Sequence, residues 1–308
     1  MSKTALLFAG QGAQVVGMGK DLAEKFPTAK AWFDRANAAL GYDLTGICFQ
    51  GPDAELTKTE NAQPGIFLAS WVCLELLKEQ VPGFAFQGTA GLSLGEFTAL
   101  TAADAMSFED GLRIVRQRGK FMQEACDVTR GGMAAVIGLD EAATRAACTE
   151  AGVVIANLNC PGQLVISGAA DKIAKACELA KAKGAKRAIP LTVAGAYHSP
   201  LMAAAQPKLR DELAKIKIAM PTLPVISNVT TRAHEADISA RLVEQVCSPV
   251  RWEESVRSLL AQGFTRFIEL GPGTALSGFM KRTDKSAQMM NVADVASLEA
   301  TVKTLTGA

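Results

Sequence analysis

One segment constrains the fold more than any other: a predicted strand that leads directly into a serine flanked by glycines. The strand is predicted over Phe84–Ala90, and Gly91-Leu-Ser-Leu-Gly95 separates it from a helical pattern. A GxSxG pattern between a strand and a helix is typical of the nucleophile elbow of α/β enzymes, a sharp turn that points the Ser93 hydroxyl out of the sheet. Because Gly and Ser are also common in loops, a strand–helix turn without a catalytic role stays an alternative.

The order of the predicted elements gives the fold class. Strands and helices alternate through residues 1–129 and again through residues 194–308, which predicts a parallel α/β sheet. A helix in the first part is predicted over Ile66–Leu77. Residues 130–193 read strand, helix, strand, strand, helix, strand, the split βαβ order of a ferredoxin-like α+β subdomain. We therefore predict an α/β domain formed by 1–129 and 194–308, with the subdomain inserted at 130–193.

Composition excludes several classes of protein. The chain has 308 residues, of which 49% are hydrophobic and 20% charged, so it can bury a large core and is not disordered. Its 32 Lys and Arg against 31 Asp and Glu give no basic field for nucleic acid. The apolar run at the start of the sequence is too short for a signal peptide, and no uninterrupted apolar stretch approaches the length of a membrane span. The seven scattered cysteines lack CxxC pairs, so we expect a cytoplasmic protein with reduced thiols and no metal site.

A reactive serine needs a base, and the chain contains only two histidines. His198 follows a predicted strand and precedes Ser199-Pro200, a typical helix start that favours the neutral, proton-accepting imidazole. His234 lies within the polar stretch 231–237, which predicts a solvent-exposed histidine. His198 is therefore the better candidate base, and the alternative for it is a structural histidine held by hydrogen bonds.

Arg118 is the most informative charge of the chain. It lies on a helix predicted over Phe108–Cys126 with Ser107 as the N-cap, and its neighbours on the same face include Ile114 and Met122. A cation on an apolar helix face is costly unless an anion meets it. That anion is either a buried carboxylate of the protein or a substrate carboxylate held by both arms of the guanidinium.

The turn after the first predicted strand, Thr4–Phe8, is rich in glycine. Gly10-Gln-Gly-Ala-Gln14 begins like a dinucleotide-binding fingerprint, but Val15 stands where the third glycine belongs. The turn can instead supply a backbone N–H to an oxyanion hole, whose other donor would be the Leu94 amide after the serine.

Taken together, these segments resemble the malonyl-CoA:acyl carrier protein transacylase family over essentially the whole chain. The matching segments are Phe8-Ala-Gly-Gln-Gly-Ala-Gln14, Gly91-Leu-Ser-Leu-Gly-Glu96, Arg118-Gly-Lys-Phe-Met-Gln123, Asn159-Cys-Pro-Gly-Gln-Leu-Val-Ile-Ser-Gly168, Tyr197-His-Ser199, Ser248-Pro-Val-Arg-Trp252 and Glu269-Leu-Gly-Pro-Gly273. The resemblance implies a hydrolase-like α/β domain with a ferredoxin-like insert.

The resemblance also implies the roles of the reacting groups. Ser93 would be the nucleophile, His198 its base, and Arg118 the ligand of the free malonyl carboxylate. The backbone amides of Gln11 and Leu94 would form the oxyanion hole.

Two further residues take implied roles. A main-chain carbonyl, here expected from Arg251, would hold the imidazole in place of an acidic residue, and Asn159 would line the cleft. The substrates would be malonyl-CoA and phosphopantetheinylated acyl carrier protein, with no bound cofactor, and we expect a monomer that supplies fatty-acid biosynthesis. The chain departs from the family at Leu92, where histidine is usual, while Tyr197 resembles the aromatic residue of malonyl-selective members.

Two other functions are consistent with parts of this pattern. A serine esterase or thioesterase usually orders its triad as serine, acid and then histidine near the end of the chain, and no acid stands out here. A non-catalytic scaffold that binds acyl chains would not need Ser93, His198 and Arg118 together.

Overall fold

The computed structural model describes residues 3–307, which form two β-sheets with helices packed around them. The strands are β1 (Lys3–Phe8), β2 (Gly88–Gly91), β3 (Gly131–Ile137), β4 (Val154–Cys160), β5 (Gln163–Ala169), β6 (Arg187–Pro190), β7 (Val225–Ile226), β8 (Phe264–Leu270) and β9 (Gln288–Val292). The helices are α1 (Lys20–Lys25), α2 (Pro27–Leu40), α3 (Leu44–Gln50), α4 (Asp53–Thr57), α5 (Thr59–Gln80), α6 (Gly95–Ala102), α7 (Phe108–Val128), α8 (Glu141–Ala151), α9 (Ala170–Ala182), α10 (Ala205–Leu213), α11 (Ile238–Gln245), α12 (Trp252–Ala261), α13 (Ala275–Thr283) and α14 (Val295–Thr306), with a 3-10 turn at Pro200–Met202.

The larger sheet is parallel throughout, in the order β7-β2-β1-β8-β9. Successive residues of β1 face opposite cores: Leu6 and Phe8 pack into the main one, Ala5 and Leu7 into a second one on the other face. The carboxyl ends of all five strands lie at one edge, where open α/β sheets place their ligand sites. The predicted parallel α/β sheet is confirmed.

The smaller sheet is antiparallel, in the order β4-β5-β3-β6, with α8 and α9 connecting its strands. This is the strand order of a ferredoxin-like unit, as predicted from the sequence. Its core is separate from that of the larger sheet. All four strands fall between residues 131 and 190, and the exact boundaries at 130 and 193 stay predictions.

Local sequence signals place the helices that carry the site. The side chain of Ser107 accepts a hydrogen bond from the Asp110 amide and begins α7 as predicted. Helix α5 begins at Thr59, seven residues before the predicted start, and it continues through Pro64. Proline lacks only one N–H, and burial of nearly the whole helix compensates for that loss.

In the described part of the chain, no helix combines the length and the apolar character needed to cross a bilayer. All seven cysteines lie within it, and each has a free thiol.

Candidate active site

Ser93 lies at the tip of the turn between β2 and α6. Its φ of 54° is in the left-handed region, which a residue with a side chain adopts only under strain. The flanking glycines are required for space, since a Cβ on Gly91 would lie 1.9 Å from the Gly95 carbonyl oxygen and one on Gly95 would lie 2.3 Å from that of Phe8. The Asn228 side chain fixes the turn by accepting from the Ser93 amide at 2.7 Å and donating to the Gly91 carbonyl at 2.7 Å. The motif therefore has the elbow geometry predicted for it.

His198 faces the serine hydroxyl. Its Nε2 lies 2.8 Å from Ser93 Oγ, while its Nδ1 lies 2.9 Å from the Gln245 carbonyl and 3.1 Å from the Ser248 carbonyl. Two carbonyl acceptors require the proton on Nδ1, which leaves Nε2 to accept the hydroxyl proton. Burial, followed by the positive charge of Arg118, lowers the pKa of His198 to about 4. The imidazole is therefore neutral at pH 7 and can act as a base.

The carbonyl that orients His198 was expected from Arg251, and this expectation is wrong. Arg251 is the N-cap residue of α12, so its carbonyl accepts from the Ser255 amide at 3.0 Å and from the Ser255 hydroxyl at 2.9 Å. Its guanidinium pairs with Glu254 and donates to the Val229 carbonyl. The carbonyls that contact His198 come from Gln245 and Ser248 instead.

Arg118 reaches the serine from α7 and is only 1% exposed. Its Nη1 donates to Gln63 Oε1 at 2.7 Å, and its Nη2 donates to Ser93 Oγ at 3.0 Å and to Gln245 Oε1 at 2.9 Å. Within residues 3–307, no carboxylate forms an ion pair with this guanidinium, so the alternative of a direct salt bridge inside the protein is wrong. Burial lowers the pKa of Arg118 to about 10, against the opposing charge of Glu96. Arg118 therefore stays a cation at neutral pH.

The two amides predicted for an oxyanion hole follow neighbouring strands. Gln11 comes after β1 and Leu94 after β2, and Phe8 of β1 pairs with Gly91 of β2. Over residues 3–307 neither N–H donates to a protein acceptor, which is expected of Leu94 because it immediately precedes α6. A free donor that immediately follows the serine, as the Leu94 amide does, suits a developing oxyanion. Their role stays a prediction.

Asn159 lies near the end of β4 and is 6% exposed. Its Oδ1 has no hydrogen-bond partner in the described part of the chain. The same strand pairs with Val250, which accepts from the Leu158 amide at 2.9 Å and donates to the Ala156 carbonyl at 2.8 Å. This pairing ties the smaller sheet to the segment that holds His198. The cleft-lining role of Asn159 stays a prediction.

Leu92 and Tyr197 both pack beside the predicted machinery. A Cβ on Gly10 would lie 2.6 Å from Leu92 Cδ2, so the leucine side chain covers the turn after β1. The Tyr197 hydroxyl lies 2.7 Å from Thr59 Oγ1, and Thr59 in turn accepts from the Gln11 side chain at 3.3 Å.

His234 is buried, so its predicted exposure is wrong. The chain folds back after β7, where Ala233 bridges Ile226 and the His234 amide donates to the Val225 carbonyl at 2.9 Å. This turn directs the imidazole inward, where its Nε2 lies 2.7 Å from Glu96 Oε1. The polar residues beside His234 in the sequence therefore do not indicate whether its side chain is exposed or buried.

Sequence reasoning missed four buried polar residues that hold the site, namely Gln63, Glu96, Asn228 and Gln245. One of them had a recognisable signal. Gln245 lies on the buried face of α11 at helical spacing from Ile238 and Leu242, the same pattern that identified Arg118.

Comparisons with known proteins agree with this geometry. A family model described as an acyl transferase domain matches residues 5–304. The malonyl CoA-acyl carrier protein transacylase of Bacillus subtilis (strain 168) is 48% identical, over 99% of this chain and 98% of its own length. That of Escherichia coli (strain K12) is 45% identical over 92% and 93%. A solved structure of a type II polyketide synthase acyl carrier protein in complex with its malonyl-transacylase superposes with a TM-score of 0.95, at 39% identity and 98% and 100% coverage. The chain belongs to the malonyl-CoA:acyl carrier protein transacylase family of acyltransferases.

Proposed function

We propose that this protein transfers the malonyl group of malonyl-CoA to the phosphopantetheine thiol of acyl carrier protein, through a malonyl ester on Ser93. The observation that carries the proposal is a convergence at one oxygen. Ser93 Oγ lies 2.8 Å from the base His198 and 3.0 Å from the cation Arg118. The three side chains proposed as nucleophile, base and carboxylate ligand therefore meet at a single point, which supports the proposal. Relatives named for this reaction also cover nearly the whole chain.

The first half of the reaction forms the ester. His198 Nε2 takes the hydroxyl proton as Ser93 Oγ attacks the thioester carbon of malonyl-CoA. The carbonyl oxygen becomes an oxyanion, to which the amides of Gln11 and Leu94 donate. When the intermediate collapses, the carbon–sulfur bond breaks and the departing CoA sulfur takes the proton from His198.

The second half repeats these steps with another thiol. The phosphopantetheine thiol of the carrier protein gives its proton to His198 and attacks the ester carbon. The bond to Ser93 Oγ then breaks, and the serine recovers its proton from the imidazole. Because one base serves both halves, the two thiols must use the same position in turn, which is a ping-pong mechanism.

Arg118 selects the malonyl group. Gln63 and Gln245 each accept one N–H of the guanidinium. Of the other two terminal N–H groups, one on Nη2 donates to Ser93 Oγ, and the one left on Nη1 has no acceptor within residues 3–307. These two N–H groups can hold the malonyl carboxylate bidentately. An acetyl group has no carboxylate and would leave the buried cation without an anion.

The low pKa of His198 gives a pH dependence. Only the neutral imidazole can accept the serine proton, so kcat/KM for malonyl-CoA should fall as pH falls through about 4, well below the ordinary histidine pKa. The measurement is the initial rate of CoA release against pH, with circular dichroism to show that the protein stays folded. An acidic limb centred near pH 6.5 would contradict the buried, neutral base.

The proposal includes the setting of the reaction. We propose that the protein acts as a cytoplasmic monomer and supplies fatty-acid biosynthesis. A holo carrier protein is its second substrate, and no cofactor is needed because serine and histidine carry every proton and bond change.

Intact mass spectrometry tests the proposal. The protein is mixed briefly with malonyl-CoA or acetyl-CoA, in parallel with Ser93→Ala. We expect a malonyl adduct on the wild type alone, which disappears when holo carrier protein is added. CoA release without an adduct or an acceptor would indicate a hydrolase, and the absence of both adduct and CoA release would indicate a binding scaffold.

A further inference from the structure

A buried carboxylate lies two hydrogen bonds away from Arg118. Gln245 Oε1 accepts from Arg118 Nη2 at 2.9 Å, and Gln245 Nε2 donates to Glu96 Oε2 at 2.6 Å. Glu96 is fully buried and belongs to α6, the helix that follows the nucleophile. The Gln245 amide thus connects a buried cation with a buried anion, although the two do not touch.

Both oxygens of the Glu96 side chain face polar groups of the protein. Its Oε2 accepts from the Asn228 amide at 3.1 Å as well as from Gln245, and its Oε1 faces His234 Nε2 at 2.7 Å. The charge of Glu96 also acts on Arg118, because it raises the pKa of the guanidinium against the lowering effect of burial. None of the proton transfers proposed above uses this group.

We propose that Glu96 is a specificity-determining residue of the transfer, because its carboxylate is the counter-charge of Arg118, relayed by the Gln245 side chain. A direct ion pair would occupy the N–H groups of the guanidinium that a substrate carboxylate needs. The amide relay balances the cation through one N–H of Nη2, so no carboxylate of residues 3–307 occupies the others. It also limits how tightly a carboxylate is held, so that the acyl group can be passed on.

Glu96→Gln tests this inference because it removes the charge and preserves the contacts. The new amide oxygen can accept from Gln245 and Asn228, and the new amide nitrogen can donate to His234 Nε2. We expect the inhibition constant of free malonate to fall about tenfold, the order of magnitude for one unit charge acting across two hydrogen bonds in a protein. The ratio of kcat/KM for malonyl-CoA to that for acetyl-CoA should rise in the same proportion.

Glu269→Gln is the matched control. Glu269 is equally buried and accepts from Leu276 and Ser277 at the start of α13, and it contacts neither Arg118 nor Gln245. This variant should lose stability but keep the wild-type ratio and malonate inhibition. If Glu96→Gln leaves malonate inhibition unchanged, or weakens it, the counter-charge role is refuted and Glu96 only holds its neighbours in place.

A second measurement covers the case that Glu96→Gln is too unstable to assay. The double variant Arg118→Met/Glu96→Gln removes both charges, so its urea midpoint should exceed those of both single variants. A midpoint lower than both would refute the coupling.

The kinetic test of this inference rests on the proposed function, but the comparison of urea midpoints does not. A wild type that fails to discriminate malonyl from acetyl would therefore refute the proposed function and leave the coupling to be judged from urea unfolding.

Discussion

Replacing His198 with alanine should lower kcat for malonyl transfer by a factor of about 10⁴ or more, because the variant keeps the nucleophile but loses the group that takes its proton. Within residues 3–307 no substitute base lies within hydrogen-bond reach, because the other group that contacts Ser93 Oγ is Nη2 of Arg118, a donor. The malonyl adduct on Ser93 should still form, but over a far longer time. Rapid-quench measurement of CoA release checks both rate and amplitude.

His234→Gln is the control, since it replaces the only other histidine and one that is also buried. His234 contacts Glu96 and not the serine, so kcat should stay within about tenfold of wild type. A His198→Ala enzyme that keeps a comparable rate would show that the base is another group. Equal losses in the two variants would show that histidine burial, and not proton transfer, determines the effect.

The parts of the site that sequence reasoning predicted depend on local patterns. The elbow at Ser93 needs glycine on both sides because the chain approaches its own backbone there, and this need is visible in five consecutive residues. Arg118 was found because a charge interrupts an apolar helix face. The fold is also predicted from local patterns. Hydrophobic periodicity indicates the alternation of strands and helices, and it changes between residues 130 and 193.

The parts that were missed depend on contacts between distant segments. Gln63 lies outside the predicted helix, which begins at Ile66, whereas α5 begins at Thr59. The polar neighbours of His234 in the sequence predict a surface residue, but the bridge between Ala233 and Ile226 turns its side chain inward.

The carbonyl that orients His198 could not be derived from residue types at all. Every residue has a carbonyl, so its identity follows only from the path of the chain. The Arg251 carbonyl does not contact His198 because Arg251 caps α12. The Gln245 carbonyl does contact it, because α11 ends at Gln245 beside the imidazole. Gln245 thereby contributes its main chain to the base and its side chain to the cation, which links catalysis and selectivity through one residue.

Arg118→Met should separate those two functions. The methionine fills a similar volume without a charge, so kcat/KM for malonyl-CoA should fall by about 10²–10⁴-fold, as for removal of one partner of a buried ion pair at about 3–5 kcal/mol. The value for acetyl-CoA should change far less, and the preference for malonyl should largely disappear. Because the positive charge of Arg118 also lowers the pKa of His198, the acidic limb of the pH profile should move upward.

The matched control is Arg113→Met on the same helix, where the guanidinium is exposed and donates to the Ala39 carbonyl. Its substrate ratio and acidic limb should both match the wild type. If Arg118→Met instead lowered kcat/KM equally for malonyl-CoA and acetyl-CoA, the guanidinium would act on the serine and not on the substrate carboxylate. The contact between Nη2 and Ser93 Oγ would then be its main role, and selectivity would have to come from the shape of the cleft.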